Sequence, residues 1–255
     1  MSLGPLEPED ILKKASQMSK FHMDPNYFLQ YVKKMEVEEV ELDGWEVIDW
    51  RCEAYAFGKR VPCLPSGLSS GNPKIISKIN YPTPEGSVVF KGEVLPKVEE
   101  VVETPSITLP EDWEEAFVKA MVEGDYFAKV EVSARRNSKA YVKRGDDVCV
   151  ATYYQSFWYG TAHNATALAI LTSANTKRTL IFLPYLAEDV EPALEGCSAV
   201  YLLEGIGSCK GMSREGGILK IGCKGPWFGS PFDTPDKVDV EILRTQLEVI
   251  WALLT

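Results

Sequence analysis

The side chains of this 255-residue chain that could do chemistry are concentrated between residues 146 and 163. Asp146 and Asp147, beside Cys149, could hold a divalent cation or provide an acid and a base. His163 carries an imidazole that can exchange a proton near neutral pH. The competing interpretation is structural, because two adjacent carboxylates on a tight turn point apart and aspartates favour turns for backbone reasons.

Two aromatic-glycine segments are the candidate ligand-binding surfaces. Trp158 and Tyr159 precede His163, and Trp227 and Phe228 form a similar pair later in the chain. Amphipathic rings offer a large contact area to a ligand, although rings in this position could also cap the core at the end of a strand. His163 follows a turn and precedes an apolar run, so we expect it at the rim of the fold.

Other motifs fail on their spacing. The glycine-rich segment 204–211 has neither the dinucleotide nor the P-loop pattern, and Ser213 lacks the second glycine of a nucleophile elbow. The six cysteines form no CxxC pair, and the sequence adds only His22 and His163 as histidine ligands. We therefore predict no metal site, no cofactor and six reduced thiols.

Charge and hydropathy restrict the partners. The 27 Lys and Arg against 37 Asp and Glu give a formal charge of -10, which disfavours nucleic acid. The longest apolar stretches, such as residues 180–184 and 249–254, are far shorter than the roughly 20 residues of a membrane span. Without a signal-peptide pattern in the first residues, we expect a soluble cytoplasmic protein. Its partner would be an unidentified ligand or protein, and a homo-oligomer is left open.

The elements that must position these residues follow from local patterns. Helices are predicted over residues 9–18, 110–122, 186–194 and 236–254, with a further short helix after Asp24-Pro25. Residues 165–174 form an apolar run that could be a helix or a buried strand. Strands are predicted over residues 88–94, 126–133, 140–143, 148–154, 179–183, 199–204 and 218–223.

An internal duplication is the main architectural hypothesis. Residues 107–161 and 181–230 share one order of features: Leu-Pro, an acidic helix, Glu-Gly, a strand, a turn, a second strand and an aromatic-glycine end. Chance agreement of common turn residues is the alternative. A weaker third copy would contain a hairpin at Asp43-Gly44.

These units predict an α+β fold in which repeated helix-plus-antiparallel-hairpin units pack on a common core, closed by a C-terminal amphipathic helix. The expected domains are a helical and hairpin region over 1–61, a Pro/Gly-rich linker with one strand over 62–104, and an α+β domain over 105–255.

The absence of an ordered catalytic constellation favours a non-enzymatic binding or assembly protein, with a clamp-like architecture as one analogy. Whether the chain is an enzyme is left open. The alternative is a hydrolase or transferase with a site near Asp146, Cys149 and His163.

Overall fold

The structure, a computed structural model, describes residues 6–19, 27–77, 86–90, 104–155, 162–225 and 233–255. The α-helices are α1 (Pro8–Met18), α2 (Leu29–Val32), α3 (Glu114–Glu123), α4 (Ala162–Leu171), α5 (Glu191–Leu194) and α6 (Val240–Leu254), with 3-10 turns at Glu111–Trp113 and Pro235–Lys237. The strands are β1 (Glu38–Ala56), β2 (Lys59–Val61), β3 (Leu64–Pro65), β4 (Ile75–Ser77), β5 (Ser87–Phe90), β6 (Ser106–Leu109), β7 (Tyr126–Lys143), β8 (Val148–Tyr153), β9 (Thr179–Leu183), β10 (Leu186–Ala187), β11 (Ala199–Leu203), β12 (Met212–Glu215) and β13 (Ile218–Ile221).

Most strands belong to one mixed sheet of nine strands. Its order is β10-β1-β7-β9-β8-β11-β13-β12, and β2 pairs with β1 outside this path. The central strands β9, β8, β11 and β13 are parallel to one another, whereas the flanking strands β7 and β12 are antiparallel to β9 and β13 respectively. A parallel centre requires crossover connections and apolar residues on both faces. β9 meets that requirement, since all five of its residues are buried.

By its contacts the chain divides into two compact units, Met1–Glu46 with Arg136–Thr255, and Val47–Arg135. In the first unit, α1, α4 and α6 pack around one apolar cluster and α5 contributes Ala193 to a second. In the second unit, a sheet of order β3-β6-β5-β4 accompanies α3, whose buried residues are Phe117 and Ala120. The proposed division into domains at residues 61 and 104 stays a prediction.

The predicted fold of repeated helix-plus-hairpin units is wrong. In the first proposed copy, 107–161, β7 and β8 are separated by β9 and run in opposite directions; in the second, 181–230, β11 and β13 are parallel neighbours. Two copies of one unit would have the same strand order. The matching landmarks are turn residues that recur in unrelated local structures, and the described parts of the two segments are not copies of one unit.

The hairpin expected at Asp43-Gly44 is also wrong, because β1 continues through it. Gly44 has φ of +147°, and a Cβ there would lie 2.4 Å from the carbonyl oxygen of Leu186 on the paired strand β10. The glycine therefore permits a close approach of two backbones instead of a turn.

The apolar run at 165–174 is helical over its first part. All ten residues of α4 are buried, because it packs against β8 of the sheet and against α1, in an apolar core to which α6 also contributes. The predicted C-terminal amphipathic helix is confirmed as α6, with Leu243, Leu247 and Ile250 on its buried side.

The prediction of six reduced thiols is contradicted as well. The structure pairs Cys52 with Cys63, Cys149 with Cys197, and Cys209 with Cys223, at Cα–Cα distances of 5.9, 5.7 and 5.8 Å. Each pair joins cysteines that the folded chain brings together, which sequence spacing alone does not reveal.

None of the helices in the described ranges is long and apolar enough to cross a membrane.

Candidate functional site

The connections of the parallel strands point to their carboxyl edge as the position expected for a ligand. After β8 the chain passes through α4 to β9, on one side of β8, and after β11 it passes through β12 to β13, on the opposite side. Where two adjacent parallel strands send their connections in opposite directions, a crevice opens beyond their carboxyl ends. The crevice expected here lies between the ends of β8 and β11.

Polar residues stand at both of these strand ends. Tyr153 is the last residue of β8 and Glu204 directly follows β11. The two ends are held together because the Thr152 hydroxyl donates to the Leu203 carbonyl at 3.0 Å.

Glu204 is a buried carboxylate with a cation beside it. Its exposure is 6%, and its Oε1 lies 3.3 Å from the Nζ of Lys224, which follows β13. The same Nζ donates to the Tyr185 hydroxyl at 3.3 Å and lies 5.5 Å from the centre of the Tyr185 ring. The Tyr153 and Tyr185 rings are 5.2 Å apart. We call Tyr153, Tyr185, Glu204 and Lys224 the strand-end cluster.

Burial, together with the negative charge of Glu204, raises the pKa of Tyr153 well above its ordinary value. The Tyr153 hydroxyl is therefore protonated at neutral pH and available as a hydrogen-bond donor.

A histidine–aspartate pair lies at the beginning of α4. His163 is 1% exposed, and its Nδ1 lies 2.5 Å from Oδ1 of Asp233, which is also 1% exposed. The Asp233 backbone carbonyl accepts the Ala162 N–H at 3.0 Å, and its carboxylate Oδ1 accepts the backbone N–H of His163 at 3.4 Å. A carboxylate is favourable at a helix N-terminus because the first backbone N–H groups lack partners within the helix.

The second polar atom of each side chain in this pair lacks a hydrogen bond among the described residues. Neither Nε2 of His163 nor Oδ2 of Asp233 has a hydrogen-bond partner there, although both atoms are buried. Buried polar atoms normally have a partner, so an orphaned pair of this kind calls for a functional explanation.

Gln155 connects the pair to the strand-end cluster. Its backbone carbonyl accepts the side-chain amide of Asn164 at 2.7 Å, and its own side-chain oxygen accepts the backbone N–H of Tyr185 at 2.6 Å. The residue after His163 and one member of the cluster thus share a single buried glutamine.

Of the three residues singled out for catalysis, only His163 lies at this edge. Asp146 precedes the opposite, amino end of β8, where Arg178 binds its carboxylate at 2.7 Å. Cys149 is bonded to Cys197 and has no free thiol. The expected position of His163 at the rim is wrong, because its side chain is buried beside Asp233.

The two aromatic pairs, Trp158 with Tyr159 and Trp227 with Phe228, lie outside the described residues. The glycine-rich segment 204–211 is bonded to α6, since the Gln246 side chain accepts from the Gly207 N–H and donates to the Cys209 carbonyl, both at 2.8 Å.

Sequence reasoning missed Asp233, Glu204, Tyr153 and Lys224. Asp233 has no motif around it in the sequence, and Glu204 begins the glycine-rich segment 204–211. The sequence signal that could have found them is a polar residue at the end of an apolar strand. Such residues meet at one edge of the sheet when the strands are parallel.

Solved structures of similar fold cover nearly the whole chain. A zinc aminopeptidase from Bacillus subtilis matches with a TM-score of 0.56 and 10% identity, over 98% of this chain and 94% of that one. A peptidase M28 precursor from Shewanella amazonensis matches with a TM-score of 0.55 and 12% identity, over 97% and 93%. No family model matches the sequence, and no curated protein matches it either.

These matches contradict the main functional hypothesis. That hypothesis rested on the absence of an ordered catalytic constellation, and its clamp analogy rested on repeated units. The fold has no such repeated units and is similar to that of these peptidases.

The zinc ion in the name of the Bacillus protein does not fit the residues that the structure describes. A catalytic zinc site takes three protein ligands from His, Cys, Asp and Glu. The described part of the chain contains no group of three such residues placed to hold a metal ion. The segments that precede α4 and Asp233, 156–161 and 226–232, contain none of these residue types.

Proposed function

We propose that this chain is a hydrolase of peptide or other amide bonds, with His163 as its base. The observation that carries the proposal is the buried His163–Asp233 pair, whose Nε2 has no partner among the described residues. The peptidases with the same fold support the choice of an amide as substrate.

The pair is arranged as a general base. The Asp233 carboxylate accepts Nδ1–H, so the neutral ring carries its lone pair on Nε2. As water adds to the substrate carbonyl, Nε2 takes the proton of the water, and Asp233 stabilises the resulting imidazolium. The ring then returns this proton to the leaving nitrogen as the bond between carbon and nitrogen breaks.

The strand-end cluster supplies the substrate-binding region in this proposal. Ligands of open parallel sheets bind beyond the carboxyl ends at such a crevice, and the protonated Tyr153 hydroxyl is a donor for a substrate carbonyl.

The aromatic segments also belong to the proposed site. Trp158 and Tyr159 come just before α4, and Trp227 and Phe228 just before Asp233, and such rings suit an apolar substrate side chain.

The test is hydrolysis of a panel of aminoacyl nitroanilides and nitrophenyl esters by His163→Gln and Asp233→Asn. Gln retains an N–H that can reach Asp233, and Asn retains the volume of Asp233. We expect kcat to fall about 10²–10⁴-fold in both, the usual contribution of a general base. Asp146→Asn, at the opposite end of β8, is the matched control and should keep full turnover.

Full turnover in His163→Gln, or no hydrolysis of any panel member by the parent, would disprove the assignment. A large loss in Asp146→Asn alone would move the site to the amino end of β8.

A cytoplasmic location remains part of the proposal, and the disulfides bear on it. Most cytosols keep thiols reduced, so a cytoplasmic location requires the three disulfides to form in an unusually oxidising cytosol. Counting free thiols in protein trapped by acid directly from intact cells tests the location. Fully oxidised cysteines in a cytoplasmic fraction would require an unusually oxidising cytosol.

A further inference from the structure

The buried carboxylate at the carboxyl edge already has a cation beside it, and that cation belongs to the protein. Glu204 is 6% exposed, and the Lys224 ammonium lies 3.3 Å from its Oε1. A buried carboxylate requires a compensating charge or hydrogen-bond donors, because loss of hydration is costly. The Tyr185 ring and hydroxyl hold the same ammonium in place.

We infer that this chain binds no zinc ion at the carboxyl edge of its parallel strands, and that the Lys224 ammonium provides the positive charge there. The chain thus departs from the zinc aminopeptidase that shares its fold. This inference is independent of the proposed function, because it concerns metal content and stability.

The donor atoms support the first half of the inference. All six cysteine sulfurs are in disulfides. His163 uses Nδ1 for Asp233, and Oδ1 of Asp233 accepts both the ring and the backbone N–H of His163. What remains at this edge is one imidazole nitrogen, one carboxylate oxygen and the ion-paired Glu204, and among the described residues no three donors are placed around a common point.

The surroundings of Lys224 support the second half. An ammonium has three donors, and the structure provides an acid oxygen, a phenol oxygen and a ring face within reach of this one. Lys224 follows β13 and Glu204 follows β11, so the pair also joins the ends of two neighbouring parallel strands.

The first experiment measures metal. The full chain, produced with zinc in the medium and dialysed against metal-free buffer, is analysed for zinc by mass spectrometry. Its thermal midpoint is recorded with EDTA and with excess zinc chloride. We expect far less than one zinc per chain and the same midpoint in both conditions. One retained equivalent of zinc together with a lower midpoint in EDTA would overturn the inference.

The second experiment measures the role of Lys224. Lys224→Met leaves the Glu204 carboxylate without its cation and should lower the thermal midpoint, whereas Lys224→Met combined with Glu204→Gln should recover part of the loss. Lys210→Met, at an exposed lysine in the preceding loop, is the control. If Lys224→Met does not fold, the thermal midpoint of the double variant is compared with that of the parent instead. The double variant carries no charge at either position, so it contains no unpaired buried carboxylate. Equal midpoints for Lys224→Met and Lys210→Met would refute the assignment of Lys224.

Discussion

Single residues decide how closely the strand ends approach one another. Gly205, next to Glu204, has φ of +66°, and a Cβ there would lie 1.9 Å from the Cys223 carbonyl oxygen. Two backbones meet at this position, and only glycine fits between them. The positions of Glu204 and Lys224 depend on this contact, because each lies one residue from it.

Gly205→Ala should therefore be strongly destabilising. A left-handed conformation alone costs a non-glycine residue roughly 1–2 kcal/mol, and the backbone clash adds to that. Gly217→Ala is the matched control, since Gly217 has φ of +88° and nothing within 4 Å of its added Cβ. Urea unfolding of both variants measures the difference. Equal losses of unfolding free energy would mean that the contact between the Gly205 and Cys223 backbones is not a tight one.

The Asp146 carboxylate predicts a pH dependence of stability. Although burial opposes its ionisation, the Val148 backbone N–H and the Arg178 guanidinium hold the pKa of Asp146 below its usual 3.8. A group with a depressed pKa in the folded state stabilises above its unfolded pKa, and this contribution is lost as the pH falls through the folded value. Asp146→Asn should thus be less stable than the parent at pH 7 and nearly equal to it at about pH 2. Chemical denaturation at both values checks this, and a difference that persists unchanged in acid would contradict it.

At the scale of elements, α6 is fixed at both ends by side chains. The Asp239 carboxylate accepts the backbone N–H groups of Glu241 and Ile242, at 2.9 and 3.0 Å. At the other end, the Thr176 hydroxyl donates to the Leu254 carbonyl, and Arg178 Nε donates to the Leu253 carbonyl at 2.9 Å. These are backbone groups that a helix cannot pair within itself. Because Gln246 of α6 holds the segment after Glu204, a loose α6 would also disturb the candidate site.

Removal of the N-cap should weaken α6 measurably. Asp239→Ala should cost about 0.5–2 kcal/mol of unfolding free energy, and Asp239→Ser should recover most of it, since a hydroxyl can accept the same N–H groups. Thermal and chemical unfolding of both variants provide the measurement. If Ala and Ser are equally destabilising, the loss does not come from capping.

At the scale of the whole molecule, the three disulfides predict a free-thiol count that differs from that of ordinary cytosolic proteins. The protein denatured without reductant should show no free thiols, because all six cysteines are paired. In the chain-entropy model, the Cys149–Cys197 bond, with a separation of 48 residues, should contribute about 4 kcal/mol. The Cys209–Cys223 bond, with a separation of 14, should contribute about 3 kcal/mol.

Paired Cys→Ala variants of each disulfide test that order by chemical unfolding. A thiol titration that finds six free groups would refute the pairing. A smaller loss for the Cys149/Cys197 variant than for the Cys209/Cys223 variant would mean that local packing outweighs the chain-entropy contribution.

The sequence by itself determined those elements whose signals are local. The amphipathic period of residues 236–254 predicts α6, and the short apolar runs at 148–154 and 199–204 predict β8 and β11 within a residue at their ends. It also identified His163 as a residue of interest.

Only the tertiary structure decided how these elements combine. Asp43-Gly44 became part of a long strand because β10 packs against its backbone, a contact more than 140 residues away in sequence. Asp233 lies 70 positions from His163, and Lys224 lies 20 from Glu204. Local patterns carry no information about such pairs, because strand order and helix packing bring them together. The candidate site is therefore a property of the parallel sheet and not of any one segment.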